Sequence, residues 1–203
     1  MVTGIALVIL LGGLVFAFVV VLYLVSVYNQ LVRYKVEVDN SWSQIDVQLK
    51  RRHDLIPNLV ETAKGYLKHE RGTLDEVVQA RNAAAAGLSR AQADPGNAEA
   101  IQSLGQAERT LAGALGRLNV VMEAYPDLKA NQNMIQLSEA LTSTENRVAF
   151  ARQAFNDAVM EYNTYKQSFP QQLLANAFGH GPDATLLEFE DHAEIQSAPK
   201  VTF

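Results

Sequence analysis

The stretch IALVILLGGLVFAFVVVLYLVSV, residues 5–27, decides how the rest of the chain is read. Leu, Ile, Val and Phe fill most of it, and no charged side chain precedes Arg33. A bilayer core about 30 Å thick takes roughly 20 helical residues at 1.5 Å each, and this run supplies them. A cleaved signal peptide would carry a basic start, a shorter apolar run and a small-x-small cleavage site. Here the chain starts Met-Val-Thr-Gly, and the run closes on Ser26-Val27-Tyr28-Asn29. Residues 1–27 are therefore expected to persist as a single transmembrane anchor. Gly13 and Ala17 form a small-xxx-small pair suited to packing two anchors together, although a run this rich in small residues produces such pairs by chance as well. Arg33, Tyr34 and Lys35 fall where an interfacial contact with lipid headgroups is expected. No Lys or Arg lies on the other side of the run, so the positive-inside rule places the N-terminus outside and the body of the protein in the cytoplasm.

Working outward, the remaining chain is one domain's worth of the 203 residues. Its net charge of −5 argues against a nucleic-acid partner, which needs a basic face. With no cysteine there is no disulfide, thiolate metal site or thiol nucleophile. Apolar residues recur at helical spacing in four stretches. The first holds Val38, Trp42, Ile45, Leu49, Ile56, Leu59, Ala63 and Tyr66, interrupted at Arg52. No Gly or Pro lies between Gly13 and Pro57, so the membrane helix is expected to continue directly into it. Pro57 lacks an amide donor and crowds the carbonyl four residues back, which predicts a kink between His53 and Pro57.

Thr73-Leu74-Asp75-Glu76 reads as a capping box that opens the second helix, with Leu74, Val77, Arg81, Ala84 and Leu88 on one face. Asp94-Pro95-Gly96-Asn97 is turn chemistry. The third stripe is Ile101, Leu104, Glu108, Leu111, Leu115, Leu118 and Met122. Tyr125-Pro126-Asp127 closes it. The fourth runs through Met134, Leu137, Leu141, Thr144, Val148, Ala151, Phe155, Val159 and Tyr162. The expectation is an all-α protein: an anchor, then an elongated up-down antiparallel bundle over residues 28–178. Its helices fall near 28–68, 73–92, 98–123 and 131–168, with a short helix at 171–178. Residues 179–203 are expected to form an extended tail, with Phe189, Val201 and Phe203 apolar enough to dock on the bundle or on a neighbouring subunit.

Three charged residues break the stripes where a leucine would serve: Arg52, Arg81 and Glu108. A buried charge without a partner costs several kcal/mol. One arginine is therefore expected to meet Glu108 inside the bundle and fix helix register; the alternative is three rim positions whose heads reach water. The neighbouring Lys50, Arg51, His53 and Asp54 read as a solvated face. His53 and His69 are too far apart to share a helical turn, and His180 and His192 sit in loop-like sequence. No metal, cofactor or catalytic set is expected. HExxH, bundle-core Glu-x-x-His pairs, Gly-rich phosphate loops and Gly-x-Ser-x-Gly are all missing from the sequence.

The run Asp39-Asn40-Ser41-Trp42-Ser43-Gln44-Ile45-Asp46 through Leu55-Ile56-Pro57-Asn58-Leu59-Val60 closely resembles the bacterial LemA family. The resemblance continues at Ala80-Arg81-Asn82, Tyr125-Pro126-Asp127-Leu128-Lys129, Thr144-Glu145-Asn146, Phe169-Pro170 and Pro199-Lys200-Val201-x-Phe203. It implies a helical bundle held at the bacterial inner membrane, without known catalytic residues. A membrane metalloprotease or other membrane protein is the partner it suggests. The function expected from the whole reading is a non-enzymatic, self-associating scaffold or adaptor. The alternative is a sensory or ligand-binding bundle on the outer side of the membrane. Alanines 83–86 and Gly105, Gly113 and Gly116 supply small faces for close helix approach.

Overall fold

The computed structural model describes residues 2–188. Six helices follow one another: α1 (Val2–Lys64), α2 (Arg71–Ala93), α3 (Ala98–Glu123), α4 (Pro126–Lys129), α5 (Gln132–Gln167) and α6 (Gln171–Ala175). Among the described residues there is no strand.

The anchor and the first bundle helix are one element. At 1.5 Å per residue α1 is about 95 Å long. Its apolar N-terminal part is long and apolar enough to cross a membrane, and none of it is buried against the rest of the chain. Pro57 lies inside the helix without ending it. From Val27 onward α1 turns one face inward, and Val27, Leu31, Ile45, Leu49 and Ile56 are buried.

Short turns return the chain each time. The first, at residues 65–70, is tied by the Tyr66 and Leu67 amides to the Ala63 carbonyl at 3.0 and 2.9 Å. Leu67 is buried there, while Tyr66, assigned to the first stripe from sequence, is 39% exposed. The capping box expected at Thr73 does not form. α2 begins two residues earlier at Arg71, with Glu70 as the capping residue and no side-chain cap bond. The Glu70 carbonyl already accepts the Leu74 amide, which puts Thr73 inside the first turn. Asparagine does the capping elsewhere: Asn97 Oδ1 accepts from the Ala100 amide at 3.0 Å, and Asn131 Oδ1 accepts from the Met134 amide at 3.1 Å. Pro126 opens the one-turn α4, which sequence periodicity did not reveal. The terminal short helix stops at Ala175, three residues sooner than expected.

α1 packs along α5, α2 along α3, and α1 against α2. The core divides lengthwise. Far from the membrane, Ile56, Leu59, Ala63, Leu67, Leu74, Val77, Leu111, Leu118, Leu128 and Met134 form one cluster. Nearer to it, Trp42, Ile45, Leu49, Leu88, Ile101, Leu104, Val148, Phe155, Val159 and Leu187 form another. A third, of Val27, Leu31, Tyr162 and Ala175, lies where the bundle meets the anchor.

Candidate functional site

Between the two larger clusters runs a polar layer to which all four long helices contribute. Leu49 and Ile56 belong to different clusters, and Arg52 and His53 sit between them. Arg52 Nη1 donates to Glu108 Oε2 and its Nη2 to Glu145 Oε1, both at 3.0 Å. His53 Nε2 donates to Glu108 Oε1 at 2.6 Å. Arg52, His53 and Glu108 are 5%, 3% and 1% exposed, so these polar groups are largely shut away from water. Glu145 is partly open to solvent. Thr144, beside it on α5, is buried and turns its hydroxyl back to the Ala140 carbonyl at 2.7 Å.

Arg81 takes a different partner from the other two stripe-breaking residues. Its Nε donates to the His53 carbonyl at 3.0 Å. That carbonyl lies four residues before Pro57 and would bond its amide in a regular helix, but proline has no N–H to give. The α2 arginine thus supplies the donor that the α1 proline removes. Its guanidinium also lies 3.9 Å from Asp54.

Beyond α6 the chain runs back along the bundle as an extended arm. The Asn163 side chain donates to the Ala184 carbonyl at 2.8 Å and accepts from the Ala184 amide at 3.0 Å. Asn156 grips Leu187 in the same two-way manner, at 3.1 and 2.9 Å. Seven helical residues rise about 10.5 Å and three extended residues about 10 Å, so the two clamps stay in register with the arm. Leu187 is fully buried. The arm passes so close to α3 that a Cβ on Gly105 would stand 2.7 Å from the Glu188 carbonyl oxygen. Gly105 therefore serves the arm and is closed to a second helix. Gly116 faces open space, and Ala83 and Ala86 line a shallow exposed groove between α2 and α3.

At the start of the arm, the Tyr162 hydroxyl and His180 Nδ1 share a hydrogen bond of 2.8 Å. Burial, then Lys35 and Lys166, hold the His180 pKa below the ordinary histidine value. Burial, then Asp183 and Asp39, raise that of Tyr162. Lys166, itself buried, donates to the Gly181 and Pro182 carbonyls and pairs with Asp183.

The residues expected at the membrane are placed as follows. Arg33 lies over the Tyr34 ring at 5.7 Å, and Lys35 reaches Asp39 at 3.4 Å. Gly13 has nothing within 4 Å of its would-be Cβ, and Ala17 is exposed. Phe189, Val201 and Phe203 lie outside the described residues. Among the described residues no group of three or more acidic or histidine side chains is placed to hold a metal ion.

Residues 41–203 match the LemA family. The chain belongs to that family. It is 27% identical over 141 residues to Protein LemA of Metamycoplasma hominis, a match covering 70% of this chain and 60% of that protein. It is 24% identical over 170 residues to magnetosome protein MamQ of Magnetospirillum gryphiswaldense, covering 75% and 61%. Magnetosome protein MamQ 2 of Paramagnetospirillum magneticum is 25% identical over 166 residues, covering 73% and 60%. The chain spans about three fifths of the length of these curated relatives.

In this LemA-family bundle the sequence stripe pointed to Arg52, Arg81 and Glu108 but missed His53 and Glu145. His53 continues the 49-53-56 steps of three and four and was hidden by the charges beside it. Glu145 sits four residues after Leu141, at the edge of the α5 stripe. Chemically, the layer is a set of groups facing one another. Each Glu108 oxygen already accepts a short bond from Arg52 or His53.

Proposed function

We propose that this protein is a non-enzymatic scaffold whose bundle stands on the cytoplasmic face of the bacterial inner membrane and assembles with copies of itself. The observation that carries this reading is the single helix α1, which is at once membrane span and spine of the bundle. The polar layer supports it, since its buried charges are spent on each other, as register-fixing groups are, rather than held ready for a substrate. Two surfaces suit assembly: the Gly13–Ala17 face of the span, and the outer α1–α5 face, where Val47 and Phe150 are 58% and 73% exposed. Ser43, Gln44 and Arg147 line the groove between them. A membrane protein of the quality-control class, such as a metalloprotease, is the partner this surface would present itself to.

The test is crosslinking in native membranes followed by mass measurement of the intact particle, together with a reporter fused after Phe203. Scaffold function predicts a particle of several copies and a reporter active only on the cytoplasmic side. A monomer at all concentrations removes self-association, and an external reporter removes the orientation.

A further inference from the structure

The end of the bundle that faces the anchor carries a second apolar feature. α5 runs antiparallel to α1, so its C-terminus points back toward the bilayer, and the chain reverses there through Ser168, Phe169 and Pro170 into α6. The level of this reversal is set by its contacts with α1. Ala175 is buried with Val27 and Leu31, and Leu174 and Phe178 pack against the same cluster. The Phe178 ring meets Tyr28 edge-on at 5.5 Å between centroids. Nearly two turns further along α1, Tyr34 and Tyr165 are paired at 5.2 Å. The hairpin of residues 168–178 is therefore level with residues 27–31 of α1. That segment includes the end of the uncharged apolar run and lies below the first charge, Arg33.

What this hairpin leaves outward is unlike the outer surface of a water-soluble turn. Phe169 is 81% exposed, more than any described large apolar residue of the anchor itself, and Leu173 is 70% exposed. No Asp, Glu, Lys or Arg occurs between Lys166 and Asp183. Its polar groups are amides, a hydroxyl and the weakly basic His180, all of which tolerate the headgroup boundary. A short element with an aromatic and an aliphatic residue outward, held at membrane level by a neighbouring span, matches what lies in the interface with its apolar side chains about 5–10 Å deep.

The geometry points to the 168–178 hairpin as a second membrane contact, in which Phe169 and Leu173 sit in the boundary between lipid headgroups and acyl chains beside α1. The bundle then rests on the bilayer through two feet, the span and the hairpin. The buried Val27, Leu31, Ala175 contact joins them into one unit. This rests on reading α1 as a membrane span, and the test separates the two claims.

The full chain is reconstituted in phosphatidylcholine vesicles whose acyl chains carry bromine at a shallow position, to read positions 169, 173 and 120, and in a second set brominated near the methyl ends, to read position 16 at the middle of the span. Trp42, the only tryptophan, is replaced by Phe, and single tryptophans are introduced in turn as Phe16→Trp, Phe169→Trp, Leu173→Trp and Val120→Trp. Val120, 73% exposed near the far end of α3, is the distal control. All four introduced tryptophans stand at exposed positions, and circular dichroism of the Trp42→Phe parent checks that the buried site accepts the smaller ring. Tryptophans at 169 and 173 should lose about half of their emission to bromine while the one at 120 loses less than about a tenth, as insertion at the boundary requires. If position 16 is quenched but 169 and 173 behave like 120, the hairpin claim is overturned and the span stands. If position 16 is also unquenched, the reading of α1 itself fails. If 169 and 173 shift to the blue only as protein is crowded, without bromine quenching, a second copy of the chain covers the hairpin and the lipid contact is wrong.

Discussion

Glu108 is the residue on which the middle of the bundle turns. Replacing it with leucine leaves Arg52 with only the half-exposed Glu145 and leaves His53 with no acceptor. Breaking a buried pair from one side costs about 3–5 kcal/mol, whereas replacing both partners by apolar residues is often close to neutral. Glu108→Leu should therefore lose about that much in denaturant unfolding, and Arg52→Met with Glu108→Leu should recover the arginine's share of it, while His53 stays without its acceptor. A single variant as stable as the parent would show that the pair does not hold the waist. Gly105 offers the opposite test. Alanine in a helix normally gains about 1 kcal/mol over glycine, yet here its Cβ meets the Glu188 carbonyl at 2.7 Å. Gly105→Ala should leave α3 intact while the Ala184 and Leu187 amides exchange faster with deuterium. The sequence revealed Glu108 because it breaks a clean apolar stripe. It could not reveal Gly105, whose constraint comes from backbone about eighty residues away.

At the scale of helices, α1 and α2 are coupled through a missing hydrogen. Arg81→Met should cost about 1–3 kcal/mol by leaving the His53 carbonyl unsatisfied. In a Pro57→Ala background the helix supplies its own donor, and the same substitution should cost clearly less. A double-mutant cycle reads the difference directly; equal costs would uncouple the two. The arm has its own dependence on pH. Above the ordinary histidine value near 6.5, His180 is neutral in folded and unfolded chains alike, and its contact with Tyr162 is intact. As pH falls through that value the unfolded chain binds the proton first, because the folded pKa is lower. Stability is lost until the folded histidine protonates too. Protection factors at Ala184 and Leu187 should thus fall as the pH drops below about 6.5, and His180→Asn should flatten that dependence. The four long helices and most of their inward faces were legible from periodicity and from Asp94-Pro95-Gly96-Asn97. The start of α2 was misread because Thr73 and Glu76 have capping-box spacing, whereas the chain enters the helix at Arg71. The one-turn α4 carries too few residues to show a period.

The whole molecule is a lipid-embedded helix with a bundle folded around its outer part, and the family match covers that bundle from Ser41 onward. Because α1 runs from Val2 to Lys64 as one helix, with Pro57 inside it, no loop separates the acyl chains from the far tip. Spans lean to match the thickness of the bilayer around them. From Val27 to Lys64 the helix extends about 55 Å, so a lean of about 10° sweeps the tip sideways by roughly 10 Å. Fluorescence transfer from a dye at Lys64 to labelled headgroups, compared between thin and thick bilayers, should register that swing. The protein is built as a pointer: what the acyl chains do by a few degrees, its distal end reports as a displacement the width of a helix.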